Sequence, residues 1–159
     1  MIDPIEFRRV MGHFASGVAV VTTVRPDGEP CGLTANAVSS VSLDPVLLLV
    51  CVERDADSHD CIVSSGRFAV NVLADAGGES LSRRFATWEV DDKFRGVAWR
   101  EEQTGAPVLE DALAWLDCRV SQAIPAGDHT VFLGEVVDAD AREGTPLVYY
   151  RGGYGRFVP

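Results

Sequence analysis

A chain of 159 residues with 47% hydrophobic residues can bury one substantial core, so a disordered chain is not expected. Fourteen Lys and Arg against 24 Asp and Glu give a net charge of −10. That balance argues against nucleic acid, whose affinity comes from cations on phosphates, and against anionic membrane surfaces. No apolar run reaches the length of a membrane span, and the opening residues carry no export signal. Cys31, Cys51, Cys61 and Cys118 form no CxxC pair and no metal-like spacing with the three histidines. We therefore expect no metal site and a reduced, cytoplasmic protein.

Asp3-Pro4-Ile5-Glu6 has the form of a helix start, with Asp as cap, Pro at the first helical position and Glu at the third. Phe7, Val10, Met11 and Phe14 then share one face, and Gly17 is placed to end the helix. This stripe is expected to cover one mouth of the core or a partner subunit. Val18 to Val24 predicts a strand, and Pro26-Asp27-Gly28-Glu29 a hairpin turn. The next strand runs from Cys31 into a stretch dense in small donors, Thr34 to Ser42. Locally this stretch reads as a polar connection between strands, although its hydroxyls and backbone N–H groups also suit a ligand rich in acceptors.

Val46 to Val52 is continuously apolar, which predicts a strand covered on both faces. Ser58 to Ser65 predicts a short helix closed by Gly66, and Arg67 to Leu73 another strand. Glu79 to Ala86 predicts a second helix, and Val97 to Glu101 a strand. Leu113 to Ser121 alternates as a strand does, Ala123-Ile124-Pro125 is expected to end it, and Ala126-Gly127-Asp128-His129 to turn the chain. Thr130 to Ala139 and a strand beginning at Pro146 complete the pattern. Six or seven strands joined by turns, with few helices, predict a mainly β fold. An antiparallel barrel is favoured over a doubly wound sheet, and residues 1–159 read as one domain.

Most nucleotide and hydrolase motifs are absent. Gly12 to Gly17 has the glycine spacing of a phosphate loop but lacks the following Lys-Ser/Thr. Gly152-Gly153-Tyr154-Gly155 is not a dinucleotide fingerprint, and no G-x-S-x-G elbow exists. Glu110-Asp111 would point apart on a strand and reads as a solvated turn. His129, at a tight turn, is either exposed or held over a ligand. Arg83-Arg84-Phe85 closes a helix, where cations are favourable in any case. Tyr149, Tyr150, Arg151 and Tyr154 either stack a planar ligand or close the barrel.

Six segments in order resemble the short-chain flavin reductases, the small components of two-component flavin monooxygenases. They are Phe7-Arg8 through Gly12-His13-Phe14-Ala15-Ser16-Gly17 to Thr23; Gly32-Leu33-Thr34-Ala35-Asn36-Ala37 with Ser40 to Pro45; and Phe68 to Leu73. Leu81-Ser82-Arg83-Arg84-Phe85-Ala86, Gly127-Asp128-His129 with Gly134-Glu135-Val136, and Pro146 to Gly152 follow. The resemblance implies an antiparallel Greek-key split β-barrel that binds FMN or FAD as a homodimer, with NADH or NADPH as co-substrate. It implies that Thr34, Ala35 and Asn36 contact the flavin ring or ribityl chain and that Ser40 and Ser42 line the same wall. Ser58 would lie near the flavin phosphate, with Arg54 turned inward to meet it, and Phe85 would border the ring. Gly127, Asp128 and His129 would meet the nicotinamide nucleotide, with His129 as the catalytic residue and Tyr154 nearby.

The implied reaction is hydride transfer from nicotinamide C4 to flavin N5, which needs stacked rings about 3–3.5 Å apart and no protein nucleophile. A flavin-dependent monooxygenase would take the reduced flavin. The competing readings are a flavin carrier or sensor without reductase activity, and a split-barrel oxidase of a phosphorylated vitamin B6 compound. The oxidase would want a cationic phosphate pocket that this acidic chain does not advertise.

Overall fold

A computed structural model describes residues 1–159. Its first helix follows from its cap: the Asp3 carboxylate accepts from the Ile5 N–H at 2.7 Å and Pro4 takes the first helical position, giving α1 over Pro4–Met11. The helix stops five residues before the expected Gly17, because the Gly12 N–H closes on the Arg8 carbonyl and the chain becomes extended at Ser16. The elements that follow are β1 Ser16–Gly17, β2 Ala19–Val24, β3 Pro30–Ala35, β4 Val38–Leu43, β5 Val46–Glu53, α2 Asp57–Ser65, β6 Arg67–Val72 and α3 Asp75–Ala86. Then come β7 Trp99–Glu101, β8 Pro107–Leu109, β9 Ala114–Ala126, β10 His129–Ala141, β11 Leu147–Tyr150 and β12 Gly153–Arg156.

Seven strands form one antiparallel sheet in the order β3-β2-β6-β9-β10-β5-β4. Its two edges, β3 and β4, are consecutive in the chain and separated only by Asn36 and Ala37. Three Cα steps reach at most about 11 Å. A flat sheet of seven strands would hold its edges about 29 Å apart. The sheet therefore rolls up until its edges approach, with no ladder between β3 and β4, and the result is a split barrel. The Thr34–Ser42 stretch is consequently not a loop. Thr34 and Ala35 finish β3, Asn36 and Ala37 cross the split, and the serines sit on the exposed edge strand β4, where polar side chains face water.

Inward-facing side chains fill the roll, among them Val21, Val50, Val52, Ile62, Phe68 and Phe132. A second core on the outer face of β2 joins Val18 and Val20 to Leu73, Phe85, Phe94 and Leu147. β2 is thus buried on both sides, as its β-branched sequence allows. β5 is not, contrary to its apolar run. Leu48, Val50 and Val52 face inward, while Leu47, Leu49 and Cys51 remain half-exposed on the outside. β9 also differs from expectation, continuing through Pro125 to Ala126. Beyond Arg119 its far side meets no strand, so the missing proline N–H breaks no ladder.

Buried polar groups tie the second core together. Asn71 Nδ2 donates to the Val20 carbonyl and to Thr22 Oγ1, both at 3.0 Å, and its Oδ1 accepts from the Leu109 N–H at 2.7 Å. Asp117 accepts from the Thr104 N–H at 2.7 Å and from the Thr104 hydroxyl, which pins the segment leading to β8. Burial pushes the thiols of Cys61 and Cys118 up to about 12, so both behave as small core residues at neutral pH.

Gly134 sits at a register shift in β10, and a Cβ there would lie 2.5 Å from Phe68 Cζ and 2.9 Å from Cys118 Cβ. Gly134→Ala should therefore destabilise the protein by about 1–3 kcal/mol through overpacking. Urea unfolding checks this: the midpoint should fall at unchanged m-value, and an unmoved midpoint would contradict the tight packing.

Candidate active site

Where the rolled edges meet, α1 stands off the barrel over a cleft of about 1100 Å³. Its walls are mainly apolar: Phe7 and Met11 from α1, Phe14 just beyond it, Leu49 and Cys51 from β5, and Ala35 from β3. The polar groups are few, namely Arg8, Ser16, Asn36, Ser39 and Arg151, with Arg9 already paired to Glu6. A large apolar cleft with a few fixed polar groups is the usual form of a site for an organic ligand. Two observations make this one receptive. The N–H groups of Asn36 and Ala37 belong to no ladder and make no backbone hydrogen bond, so two donors stand free at the crossing. Ser16 Oγ is buried without a partner.

The sheet register brings a second group to the same end of β5. Val38 pairs with Val50, the Cys51 N–H donates to the Ala37 carbonyl at 3.0 Å, and His129 on β10 pairs with Glu53. The Asn36–Ala37 crossing and the Asp128–His129 turn are thus two strand spacings apart, about 10 Å. Gly127, at φ +66°, supplies the left-handed step that this turn needs. The Arg54 N–H donates to the Asp128 carbonyl at 2.9 Å and holds the turn in place. His129 Nδ1 lies 2.7 Å from Asp128 Oδ1 and its side chain is 43% exposed, leaving Nε2 open to solvent-side partners. This hydrogen bond to His129 holds the Asp128 carboxyl below its ordinary range, with a smaller contribution from Arg8 on α1. Behind the turn, His59 contacts Thr130 Oγ1 at 2.8 Å and Asp60 Oδ1 at 3.0 Å, and its ring leans on Phe132.

Other predicted residues fall elsewhere. Ala35 points into the barrel core, but Thr34, one residue earlier, faces α3, where its hydroxyl donates to the Ser82 carbonyl at 2.6 Å. Ser82 Oγ in turn lies 2.7 Å from the Tyr154 hydroxyl, and the Arg83 guanidinium sits over the Tyr154 ring at 4.9 Å. Thr34 and Tyr154 therefore share one polar chain that ties β3 to α3 and β12, behind the wall rather than on its open face. Phe85 is 1% exposed and packs on Gly32 and Phe94, so it supports β3 and presents no free ring to the cleft. Ser40 pairs with Leu48, and Ser42 accepts from the Asp44 N–H at 3.2 Å. Strand alternation instead gives the cleft Ser39.

Ser58 is 3% exposed, and its hydroxyl accepts from Cys31 Sγ at 3.3 Å. Arg54 does not turn toward it but lines a separate polar pocket of about 280 Å³ with Asp55, His59, Asp60 and Asp128. Lys93 feels the Asp57 carboxylate at the start of α2, and Arg25 acts on both Lys93 and Cys61. Burial depresses the Lys93 ammonium, whose Nζ donates to the Phe85 carbonyl at 3.1 Å. Sequence reading gave no role to Lys93, nor to Arg8 and Ser16, which stand in the first family-like segment without a function assigned to them there. No group of three or more His, Cys, Asp or Glu side chains is placed to hold a metal ion, and no helix is long and apolar enough to cross a membrane.

A rolled antiparallel sheet whose split opens into an apolar cleft is a ligand-binding split barrel. Residues 11–157 match the flavin reductase like domain, and the chain belongs to that family. Its relatives include a flavin reductase (NADH) of Kitasatospora aureofaciens, 47% identical over 99% of this chain and 83% of that protein. The reductase component of a 4-nitrophenol 4-monooxygenase/4-nitrocatechol 2-monooxygenase from Rhodococcus opacus is 45% identical over 99% and 83%. Among solved structures, the NADH:FAD oxidoreductase SgcE6 of Streptomyces globisporus C-1027, in complex with NAD and FAD fragments, aligns with a TM-score of 0.91 at 40% identity. That alignment covers 100% of this chain and 97% of the other.

The Asp128 carboxyl is fully exposed, and its lowered pKa rests first on His129. The contact therefore persists above the ordinary aspartate pKa and is lost as the pH falls through the depressed one. Carboxyl carbon NMR should show Asp128 titrating below a normal aspartate, and His129→Ala should return its midpoint upward. An ordinary midpoint in the unmodified protein would rule the contact out.

Proposed function

We propose that this chain is an NADH:flavin oxidoreductase that binds FMN or FAD in the cleft at the Asn36–Ala37 crossing and passes reduced flavin to a partner monooxygenase. The observation that carries this reading is the crossing itself. Two free backbone N–H groups and the Asn36 side chain stand at the edge of an apolar cleft, with the Asp128–His129 turn at the same end of β5. A flavin, when bound, supplies the ring system that accepts a hydride from the nicotinamide. The protein's part is to bind and orient. The apolar walls exclude water, and the Asn36 and Ala37 N–H groups offer donors to negative charge without reorganising. The Asp128 carboxylate fixes the His129 ring so that Nε2 faces outward, where it would hydrogen-bond the nucleotide. The cleft is open and has few polar contacts, which suits a flavin that leaves after reduction.

A homodimer is part of the proposal. No residue of α1 is buried: Ile5, Phe7, Val10 and Met11 on the helix, and Phe14 just beyond it, all stay exposed. The outer face of β5 is half-exposed as well, so a second copy would cover both. Residues 1–159 act as one unit in this reading. The four unpaired cysteines fit a reducing, cytoplasmic setting, and the monooxygenase partner follows from relatives such as the R. opacus reductase component.

Adding flavin and NADH to the purified chain and following the nicotinamide absorbance tests the activity. Flavin retained without nucleotide oxidation would favour the carrier reading, and neither would sink both. His129→Ala should raise the KM for NADH about tenfold while leaving flavin affinity within twofold or so. An equal loss of both, or of neither, would remove His129 from its assigned place. Phe7→Asp should halve the mass seen by analytical ultracentrifugation, and an unchanged mass would place the subunit contact elsewhere.

A further inference from the structure

The cleft carries two cations that no carboxylate pairs and that the proposed reaction does not use. Arg9, Arg83, Arg95 and Arg100 are paired with carboxylates. Arg8 and Arg151 are not, and both line the cleft. They come from opposite ends of the chain, on the last turn of α1 and at the β11–β12 turn. The two turns are docked: the Arg151 N–H donates to the Gly12 carbonyl at 3.0 Å. A Cβ built on Gly12 would lie 3.5 Å from the Arg151 Cα, an ordinary van der Waals distance, so the two turns are in direct contact.

Arg151 is the only non-glycine residue with a positive φ, +50°. An arginine pays for that conformation where a glycine would not, and the two residues that follow it are glycines. The helix dipole accounts for a cation at Arg8 but gives no reason for one at Arg151. The side chain is therefore what the position requires. Ser16 Oγ, buried and unpartnered, lines the same cleft. In a chain of net charge −10, an anionic ligand is repelled at long range and needs local cations to settle.

We propose that Arg8 and Arg151 form a two-guanidinium clamp for the pyrophosphate of a dinucleotide lying in the cleft. This rests on the reading of the cleft as the site of flavin and nicotinamide nucleotide. Each guanidinium presents a planar fork that matches phosphate oxygens in a bidentate way, which an ammonium does not. NADH and FAD both carry the pyrophosphate, so the assay has to separate them.

The variants are Arg8→Gln, Arg151→Gly and Arg151→Lys. NADH is titrated with riboflavin as acceptor, so that only the nucleotide carries phosphate, and FAD and riboflavin affinities are measured by flavin fluorescence. Arg8→Gln and Arg151→Gly should each raise the KM for NADH or the Kd for FAD about tenfold or more. Riboflavin affinity should hold, and the salt dependence of the affected constant should flatten. Whichever constant moves identifies the dinucleotide, and Arg151→Lys should recover only part of the loss. Arg151→Gly should keep or raise the Tm, because glycine takes the positive φ freely, so its effect on binding cannot be attributed to misfolding even if Arg8→Gln fails to fold. Wild-type turnover with both constants and their salt dependence unmoved in Arg151→Gly would overturn the clamp alone. Absence of NADH oxidation by the wild type would instead remove the functional reading and the clamp together.

Discussion

The structure depends on one constraint: two residues must join the opposite edges of a seven-stranded sheet. Asn36 and Ala37 are too short to cross a flat sheet, so the sheet rolls. Rolling creates the interior that Val21, Val50, Phe68 and Phe132 fill, and it also decides where the barrel stays open. At the crossing the backbone leaves both ladders, and its N–H groups lose the partners that strand residues have. A barrel closed by a ladder would have no such donors. The geometric requirement that closes the fold is the same one that supplies the site with polar groups.

The rest of the site is arranged around β5. Its inward side chains belong to the core, and its C-terminal end is flanked by the crossing on one side and the Asp128–His129 turn on the other. α1 adds the opposite wall without burying any residue of its own. This explains how a helix with an apolar stripe is held at all. Its cap at Asp3, the Gly12 hydrogen bond to Arg151 and the cleft it overhangs replace the packing that usually stabilises a short helix.

The strand pattern was largely legible, because period-two alternation and turn residues are local signals. β2, β3, β6 and β10 lie close to their expected bounds, and Gly66 ends α2 in the left-handed conformation expected of it. What was not legible depended on neighbours. The run from Val46 to Val52 looks buried on both faces, yet one face is open because of where the roll leaves it. Pro125 looks like a strand end, yet it lies where β9 has a partner on one side only. Asn36 and the Asp128–His129 turn were found through an ordered set of family-like segments, since neither is distinctive by itself. Register then separated residues that sequence had grouped. Thr34 and Asn36 are two positions apart and on the same side of an ideal strand, but the strand ends between them and they serve different surroundings. Ser58 and Arg54 look adjacent to a phosphate and in fact face a thiol and an acidic pocket.

Charge resolves in the same way. Net charge −10 describes solubility and long-range repulsion; it says nothing of the few ångströms that a ligand meets. Along the rim of the cleft the local balance is reversed, because α1 and the β11–β12 turn bring Arg8 and Arg151 together from the two ends of the chain. Screening limits the repulsion from distant surface carboxylates at physiological ionic strength, whereas a ligand touching the rim lies well within the screening length of its two guanidinium groups. An acidic protein with a cationic rim and an apolar interior can therefore admit an anionic, planar ligand and still let it go. Those are the conditions that a flavin serving as substrate rather than as a resident group imposes.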